Sequence, residues 1–304
     1  MRTRAGALTA GTLGAVMLSG CIDQISADLP LPAKQLVLNA ILTPDSIFRV
    51  QVSRVAGVTD SATRLLDAAQ VYLQAPGQPA EQLHRQGRGW YYTAARPRPG
   101  QPYTLTAAAD GYPGVGATDT VPAPVPIQDA WYLYPTATDR NNELLGTVVL
   151  RFDDPAATAN YYEVSLYQSA GERSGIPLDA RGNPTLAAED DAGFNPPSLV
   201  FSDQLFNGQR FELRAAFHPN GAGVRNGVPY AENPYLVLRS VSRAYYRYRK
   251  SWTRHLYNQG TKGDTNDLNQ LLFLGDPSAM YTNVRGGYGV VVGYAKETLL
   301  LRPR

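Results

Sequence analysis

Residues 36–52 read LVLNAILTPDSIFRVQV, and the spacing of apolar residues in this stretch decides the fold class. On each side of the run Thr43-Pro44-Asp45-Ser46, which has the composition of a turn, an apolar residue recurs at every second position. The recurring positions are Leu36, Leu38, Ala40, Leu42, Phe48, Val50 and Val52. Because successive side chains of a β-strand point to opposite faces, the pattern predicts two strands, each with one buried face, joined by this turn.

Further short strands are predicted as far as Gly111, where the alternation ends. They cover residues 71–73, 82–85, 90–93 and 103–107, with turn-forming residues between them. About seven such strands favour an immunoglobulin-like β-sandwich over residues 33–122. The prolines at 122, 124 and 126 form a stiff linker and mark the predicted domain boundary.

A second set of alternating strands follows the linker. The residues that share a face within these strands are Val148, Leu150 and Phe152, then Tyr162, Val164 and Leu166, then Phe211, Leu213, Ala215 and Phe217. They predict a second, fibronectin-like β-sandwich within residues 123–304. Residues 170–197 are rich in glycine, proline and acidic residues, and we interpret them as a long loop.

One segment of the second domain has helical spacing. A helix is predicted over residues 242–259, with Ser242 as N-cap and Gly260 just past its end. One stripe holds Tyr245, Tyr248, Trp252 and Leu256, and the opposite stripe holds Arg243, Arg247, Lys250 and Arg254. The favoured interpretation packs the aromatic stripe on the second sandwich and leaves the basic stripe in water. The alternative turns the basic stripe toward lipid phosphates or an acidic partner.

The N-terminus has the pattern of a bacterial export signal. Arg2 and Arg4 precede the uncharged run 5–18, which is too short to span a bilayer. Leu18-Ser19-Gly20-Cys21 resembles the lipobox of bacterial lipoproteins. The resemblance implies a signal peptide over residues 1–20, acyl chains such as palmitate on Cys21, and a lipidated tether over 21–32. The competing interpretation is a short buried helix that carries a free thiol.

Composition narrows the function classes. Cys21 is the only cysteine, so the chain forms no internal disulfide and no zinc–thiolate site. With 28 basic and 26 acidic residues, the charge calls for no nucleic acid partner. After residue 20 no segment approaches the ~20 apolar residues of a membrane span, so the lipid is the expected membrane attachment.

The sequence offers no recognisable catalytic, cofactor or metal site. The three histidines, His84, His218 and His255, lack a neighbouring Glu or His at metal-binding spacing. Residues 286–289 read GGYG but precede Val290-Val291-Val292, which favours a strand, whereas a phosphate loop would be followed by a helix. These glycines are expected to allow a bulge or close backbone packing against the preceding helix. We therefore predict a protein that is not an enzyme and needs no cofactor.

Aromatic residues are the remaining signal, with 19 tyrosines and three tryptophans. Strand alternation places Trp90 and Tyr92 on one face and Tyr91 on the other. Trp131 opens the second domain with further aromatic residues around it. These residues are candidates for a ligand-binding platform or a domain interface, while burial in the core is the commoner role of such aromatics.

The order of several short motifs resembles a family of Bacteroidota outer-membrane lipoproteins. The motifs are the lipobox, the strand and turn over 36–46, Gly111-Tyr112, the SRAYYRY run at 242–248, and NVRGGYGVVVGY at 283–294. That family is classed as a domain of unknown function, and its genes often lie beside those of TonB-dependent receptors. The resemblance implies a lipid-anchored protein at the outer membrane with a β-barrel receptor as neighbour, and it supplies no catalytic residues.

Two functional hypotheses follow. The first is a non-enzymatic outer-membrane lipoprotein that assists a TonB-dependent transporter or captures its cargo. The alternative is an independent surface adhesin or glycan-binding module. Its candidate binding residues are the same as those of the first hypothesis: Trp90, Tyr92, Trp131, Arg243, Arg247, Lys250 and Arg254.

Overall fold

The computed structural model describes residues 34–57, 64–190, 198–258 and 278–304. Within these ranges the chain is mainly β, which confirms the predicted fold class, and Ala33–Arg304 forms one compact unit. The predicted signal peptide, Cys21, the predicted tether and Gly260 lie outside the described residues.

The N-terminal half forms a β-sandwich around one hydrophobic core. Its strands are β1 (Leu36–Leu42), β2 (Arg49–Arg54), β3 (Gln70–Gln74), β4 (Glu81–Gln82), β5 (His84–Gly87), β6 (Trp90–Tyr92), β7 (Pro102–Ala108) and β8 (Val115–Thr120). One sheet has the order β4-β3-β7-β8, and the opposite face of the core is built on β1-β2-β6-β5. The strand predicted at 82–85 is two strands in different sheets, because the chain crosses the core at buried Leu83.

A second β-sandwich follows the proline linker. Its strands are β9 (Ile127–Thr138), β10 (Leu144–Asp153), β11 (Tyr161–Tyr167), β12 (Gly175–Ile176), β13 (Leu178–Asp179), β14 (Leu199–Ser202), β15 (Arg210–Phe217) and β18 (Tyr235–Val241). The sheet β13-β15-β10-β9 packs on β11, β18 and β14 around a core with a Phe and Tyr cluster. Every residue predicted to share a buried face here is buried. A separate hairpin joins β16 (Gly223–Arg225) to β17 (Val228–Tyr230).

The predicted loop over 170–197 contains regular structure. Besides β12 and β13 it holds the short helix α1 (Pro184–Ala187). Asn183 caps this helix, since its side-chain oxygen accepts from the backbone N–H of Thr185 at 3.0 Å. The loop prediction was therefore wrong for 175–187, where elements of two to four residues are too short to leave a periodic pattern.

The last strand, β19 (Tyr288–Leu300), joins the two halves. Its first part pairs in parallel with β1, from Val37 opposite Tyr288 to Leu42 opposite Gly293, and its second part pairs antiparallel with β18. A continuous nine-stranded sheet results. The predicted division at the prolines assigned 123–304 wholly to the second sandwich, whereas Val291 lies in the first core. The unpaired edge of β1 explains the difference, because its backbone groups require a partner.

Glycines make this pairing close. A Cβ at Gly289, where φ is +102°, would lie 2.2 Å from the backbone oxygen of Leu38. A Cβ at Gly287 would lie 2.3 Å from the backbone oxygen of Leu36. The prediction of close backbone packing is thus correct, but the partner is β1 and not the preceding helix.

The predicted helix is α2 (Arg243–Asn258). The Ser242 hydroxyl accepts from the backbone N–H of Tyr245 at 3.1 Å, which confirms the N-cap. Ala244 packs on Val290 and Val292 of β19, so the helix lies on the strand shared by both halves. None of the described helices is both long enough and apolar enough to cross a membrane.

Candidate functional site

A groove of about 480 Å³ lies between α2 and the outer face of β1, β2, β6 and β19. Strand alternation creates it: the residues of β1 that flank the buried ones, Asn39 and Ile41, point outward toward the helix side. The apolar side chains at the floor of the groove are Ile41, Val290 and Val292, and Ala40 also borders it although its side chain lies in the first core. We call it the helix–sheet groove.

The sheet side contributes an aromatic and cationic wall. Trp90 lines the groove and is partly buried, and the guanidinium carbon of Arg49 lies 4.9 Å from the centre of its ring. Arg49 also donates to the side-chain oxygen of Gln86 at 3.2 Å. The register places Trp90 opposite Gln51 and Tyr92 opposite Arg49, so Trp90 and Tyr92 share the outer face as predicted.

Tyr91 and Tyr92 lie outside the groove. Tyr91 is 2% exposed in the first core, and its hydroxyl donates to the backbone oxygen of Leu66 at 2.9 Å. Tyr92 is partly buried, with its ring centre 5.9 Å from that of His84. Of the predicted pair, Trp90 alone therefore lines the groove.

The helix side contributes Tyr245, Tyr248 and Arg249. The Tyr245 hydroxyl donates to Glu163 at 2.8 Å. One terminal nitrogen of Arg249 lies 2.6 Å from the Ser198 hydroxyl and 3.1 Å from Glu163, and the guanidinium carbon is 4.6 Å from the centre of the Trp252 ring. Arg249 is thereby held from two sides.

Glu163 anchors this wall from beneath. It is 2% exposed and also pairs with Arg239 at 3.1 Å. Burial by itself raises the pKa of Glu163, but the guanidinium groups of Arg249 and Arg239 outweigh it and hold this pKa below its usual range. Burial and the charge of Glu163 raise the pKa of Tyr245, so that phenol stays neutral at neutral pH. Such a buried network fixes the positions of the groove residues before any ligand arrives.

The predicted basic stripe is divided by the fold. Arg243, Arg247 and Arg254 are exposed, and Arg254 pairs with Asp190 at 3.2 Å. Lys250 is 6% exposed and donates to the backbone oxygen of Val200 at 2.6 Å. It also pairs with Glu189 at 3.0 Å. The prediction of a continuous solvated stripe is wrong at Lys250, because the acidic residues after α1 fold against this side of the helix.

Trp131 is not an open platform. It is 8% exposed, and the guanidinium carbons of Arg151 and Arg304 lie 4.9 and 3.9 Å from the centre of its ring. Arg304 is held by Asp129 at 2.9 Å. The ring is therefore occupied by contacts within the chain, and the structure does not bring Trp131 together with Trp90.

Among the residues that the structure describes, one group of side chains could hold a metal ion. Ligand atoms of Asp139, Glu143 and His218 all lie within 4.8 Å of one another, at the β9–β10 turn and the end of β15. His218 Nδ1 lies 3.5 Å from Glu143 and its Nε2 lies 3.9 Å from Asp139. Sequence spacing missed this group because the histidine comes from a distant strand. Contacts between a histidine and exposed carboxylates are common without an ion, and we assign no metal to this group.

Sequence reasoning also missed the two cations of the groove. Arg49 follows from strand alternation, since it lies between inward-facing Phe48 and Val50. Arg249 lies on the aromatic side of the helix, four residues after Tyr245 and three before Trp252, but helical spacing alone does not mark this charged residue as functional. Its role depends on Glu163, more than 80 residues earlier in the chain, and is visible only in the fold.

Comparison with known proteins gives a family and no function. No curated protein matches the chain. Residues 22–299 match the family described as a domain of unknown function, DUF4249, and this range includes both sandwiches, α2 and almost all of β19. The chain therefore belongs to the DUF4249 family.

Proposed function

We propose that this protein is a non-enzymatic lipoprotein of the outer membrane that captures a ligand in the helix–sheet groove and works beside a TonB-dependent transporter. The groove is the observation that carries the proposal. Its volume lies within the roughly 300–1,000 Å³ typical of small-molecule sites. An apolar floor with a few polar groups at its walls is also typical of such sites.

The rigidity of the walls supports capture. Trp90, Tyr245 and Arg249 come from a strand and a helix, and the last two are bonded to buried Glu163. A site built on regular elements loses little conformational entropy when it binds a ligand.

The lining of the groove supports a binding role over a catalytic one. It contains no carboxylate and no histidine that could act as general acid or base. Its one serine, Ser46, donates to the backbone oxygen of Ile47 at 3.3 Å, and no residue of the lining is placed to accept its proton. Side chains that only bind a ligand need neither a general acid nor a general base.

The lipid anchor and the transporter are supported by the sequence. The lipobox ending at Cys21 implies acylation, and several acyl chains hold a protein on a membrane almost permanently. The resemblance to lipoproteins encoded beside TonB-dependent receptors supplies the partner. Tethering to the same membrane raises the effective concentration of the protein near a β-barrel without any new contact.

A pulldown of the lipidated protein from detergent-solubilised native membranes tests the partnership. We expect one dominant large membrane protein, identified by mass spectrometry as a TonB-dependent barrel. The matched control is Cys21→Ser, which should lose acyl labelling and leave the membrane fraction. Persistent membrane association of a cleaved, unlabelled Cys21→Ser chain would contradict the anchor.

The alternative, an adhesin or glycan-binding module, is favoured by one observation. Trp90 and Tyr92 lie on the same outer face of a sheet, an arrangement suited to stacking on sugar rings. Retention of glycans by the purified protein, together with no barrel in the pulldown, would favour this alternative over the transporter partnership.

A further inference from the structure

The floor of the helix–sheet groove exposes apolar surface in the interior of a sheet. Ile41 is 55% exposed although its strand β1 is paired on both sides, with β2 and with β19. It lies opposite Val292 of β19, and both residues line the groove together with Trp90. Exposed apolar surface inside a concave site favours a ligand with an apolar body.

The charges under the helix side of the groove balance. Arg249 and Arg239 share Glu163, and Arg239 also pairs with Glu172. Lys296 pairs with Glu172 in turn and lies 3.7 Å from Asp45. Three cations and three carboxylates alternate along this chain of contacts, so it adds no net charge to the groove.

Arg49 adds the charge that is not balanced. Its contacts are the ring of Trp90 and the amide oxygen of Gln86, and within the described residues no carboxylate pairs with it. The lining of the groove contains no acidic residue. A ligand in the groove therefore meets one uncompensated positive charge.

The charge of Arg249, in contrast, is already paired with Glu163. Its Nε is buried and has no hydrogen-bond partner among the residues that the structure describes. A nitrogen without accessible surface is closed to a ligand oxygen, so Arg249 helps to form the wall of the groove and Arg49 is the cation left to meet an anion.

We propose that the helix–sheet groove binds an organic monoanion, a carboxylate joined to a flat apolar body. Arg49 binds the carboxylate, while Trp90 and the helix tyrosines contact the body above the apolar floor. Guanidinium groups bind carboxylates through strong charge-assisted hydrogen bonds. One unbalanced cation favours one negative charge, because burial of a second charge costs more than it gains. This inference rests on the capture role proposed above and adds the class of ligand.

The test uses the full lipidated protein in dodecyl maltoside, with titrations into protein-free micelles as blanks. Three compounds share one naphthalene body and differ in charge: 2-naphthoate, the neutral 2-naphthamide, and 2-naphthyl phosphate. Calorimetry gives the Kd of each for the wild type, for Arg49→Gln and for Arg98→Gln. Arg98 is an exposed arginine outside the groove and serves as the matched control.

We expect 2-naphthoate to bind roughly tenfold more tightly than 2-naphthamide, which corresponds to one charge-assisted contact. Arg49→Gln should remove that preference, and Arg98→Gln should preserve it. Trp90→Leu should weaken the binding of both compounds, since the naphthalene body loses a stacking surface. Circular dichroism confirms that each variant is folded.

Equal affinity for 2-naphthoate and 2-naphthamide overturns the proposal, as does an unchanged preference in Arg49→Gln. Much tighter binding of 2-naphthyl phosphate than of 2-naphthoate overturns the choice of a monoanion. If no compound binds but a barrel is recovered in the pulldown, the ligand class fails and the partnership survives. If 2-naphthoate binds through Arg49 and no barrel is recovered, the partnership fails and the ligand class survives.

Discussion

Asp119 lies where β8 meets β19 and the start of α2. Its carboxylate accepts from the backbone N–H of Gly293 at 2.6 Å and is hydrogen-bonded to Ser242. Burial raises the pKa of Asp119 from its usual 3.8 to about 6, and these hydrogen bonds oppose the rise only in part. The Asp119 carboxylate therefore links β8, β19 and the start of α2, and the free-energy cost of burying its charge depends on pH.

The sign of the pH dependence follows from this raised pKa. The stability contributed by protonated Asp119 is complete below about pH 4 and is lost as the pH rises through about 6. Asp119→Asn keeps an acceptor for Gly293 and removes the buried charge, so we expect roughly 1–3 kcal/mol more stability at pH 7 than the wild type. Urea unfolding of both proteins between pH 4 and 7 measures this difference in the free energy of unfolding. Parallel pH profiles for the two proteins would contradict the assignment.

Lys250 differs from the other residues of the predicted basic stripe because the side chain of its partner Glu189 is also buried. Lys250→Ala leaves that carboxylate without its cation, and we expect a loss of roughly 3–5 kcal/mol in the free energy of unfolding. Exposed Arg247→Ala on the same helix should cost less than about 0.5 kcal/mol. Urea unfolding of both variants gives the comparison. Similar small losses would mean that Lys250 is solvated after all.

At the scale of elements, the parallel pairing of β1 with β19 depends on the backbone at Gly289. Gly289→Ala adds a Cβ that would overlap the backbone oxygen of Leu38 at a residue with φ of +102°. We expect this variant to lose roughly 2–4 kcal/mol in the free energy of unfolding and to show faster amide hydrogen exchange in β1. Gly171→Ala, where a Cβ meets nothing within 4 Å, should change stability by less than about 0.5 kcal/mol. Unaltered exchange in β1 of Gly289→Ala would contradict the close packing.

At the scale of the whole molecule, β19 determines whether the two halves separate after cleavage in the proline linker. Val125 of the linker is buried in the second core, and its backbone N–H donates to the Ser240 hydroxyl at 3.1 Å. After proteolysis between residues 122 and 126 we expect the two fragments to stay together, because β1 keeps β19 as its neighbour. Size-exclusion chromatography without denaturant checks this. Separate folded fragments would show that the domains are independent, as the linker alone suggests.

Local patterns in the sequence determined the mainly β fold, the buried face of each long strand, the N-cap at Ser242 and the shared face of Trp90 and Tyr92. These features follow from residues two to four positions apart, and the backbone converts that spacing directly into a direction in space. Only the tertiary structure decided that β19 completes the edge of β1, that Lys250 is buried against Glu189, and that Arg49 and Arg249 line one groove. Their partners lie tens to hundreds of residues away, and no periodicity records a pairing that packing selects.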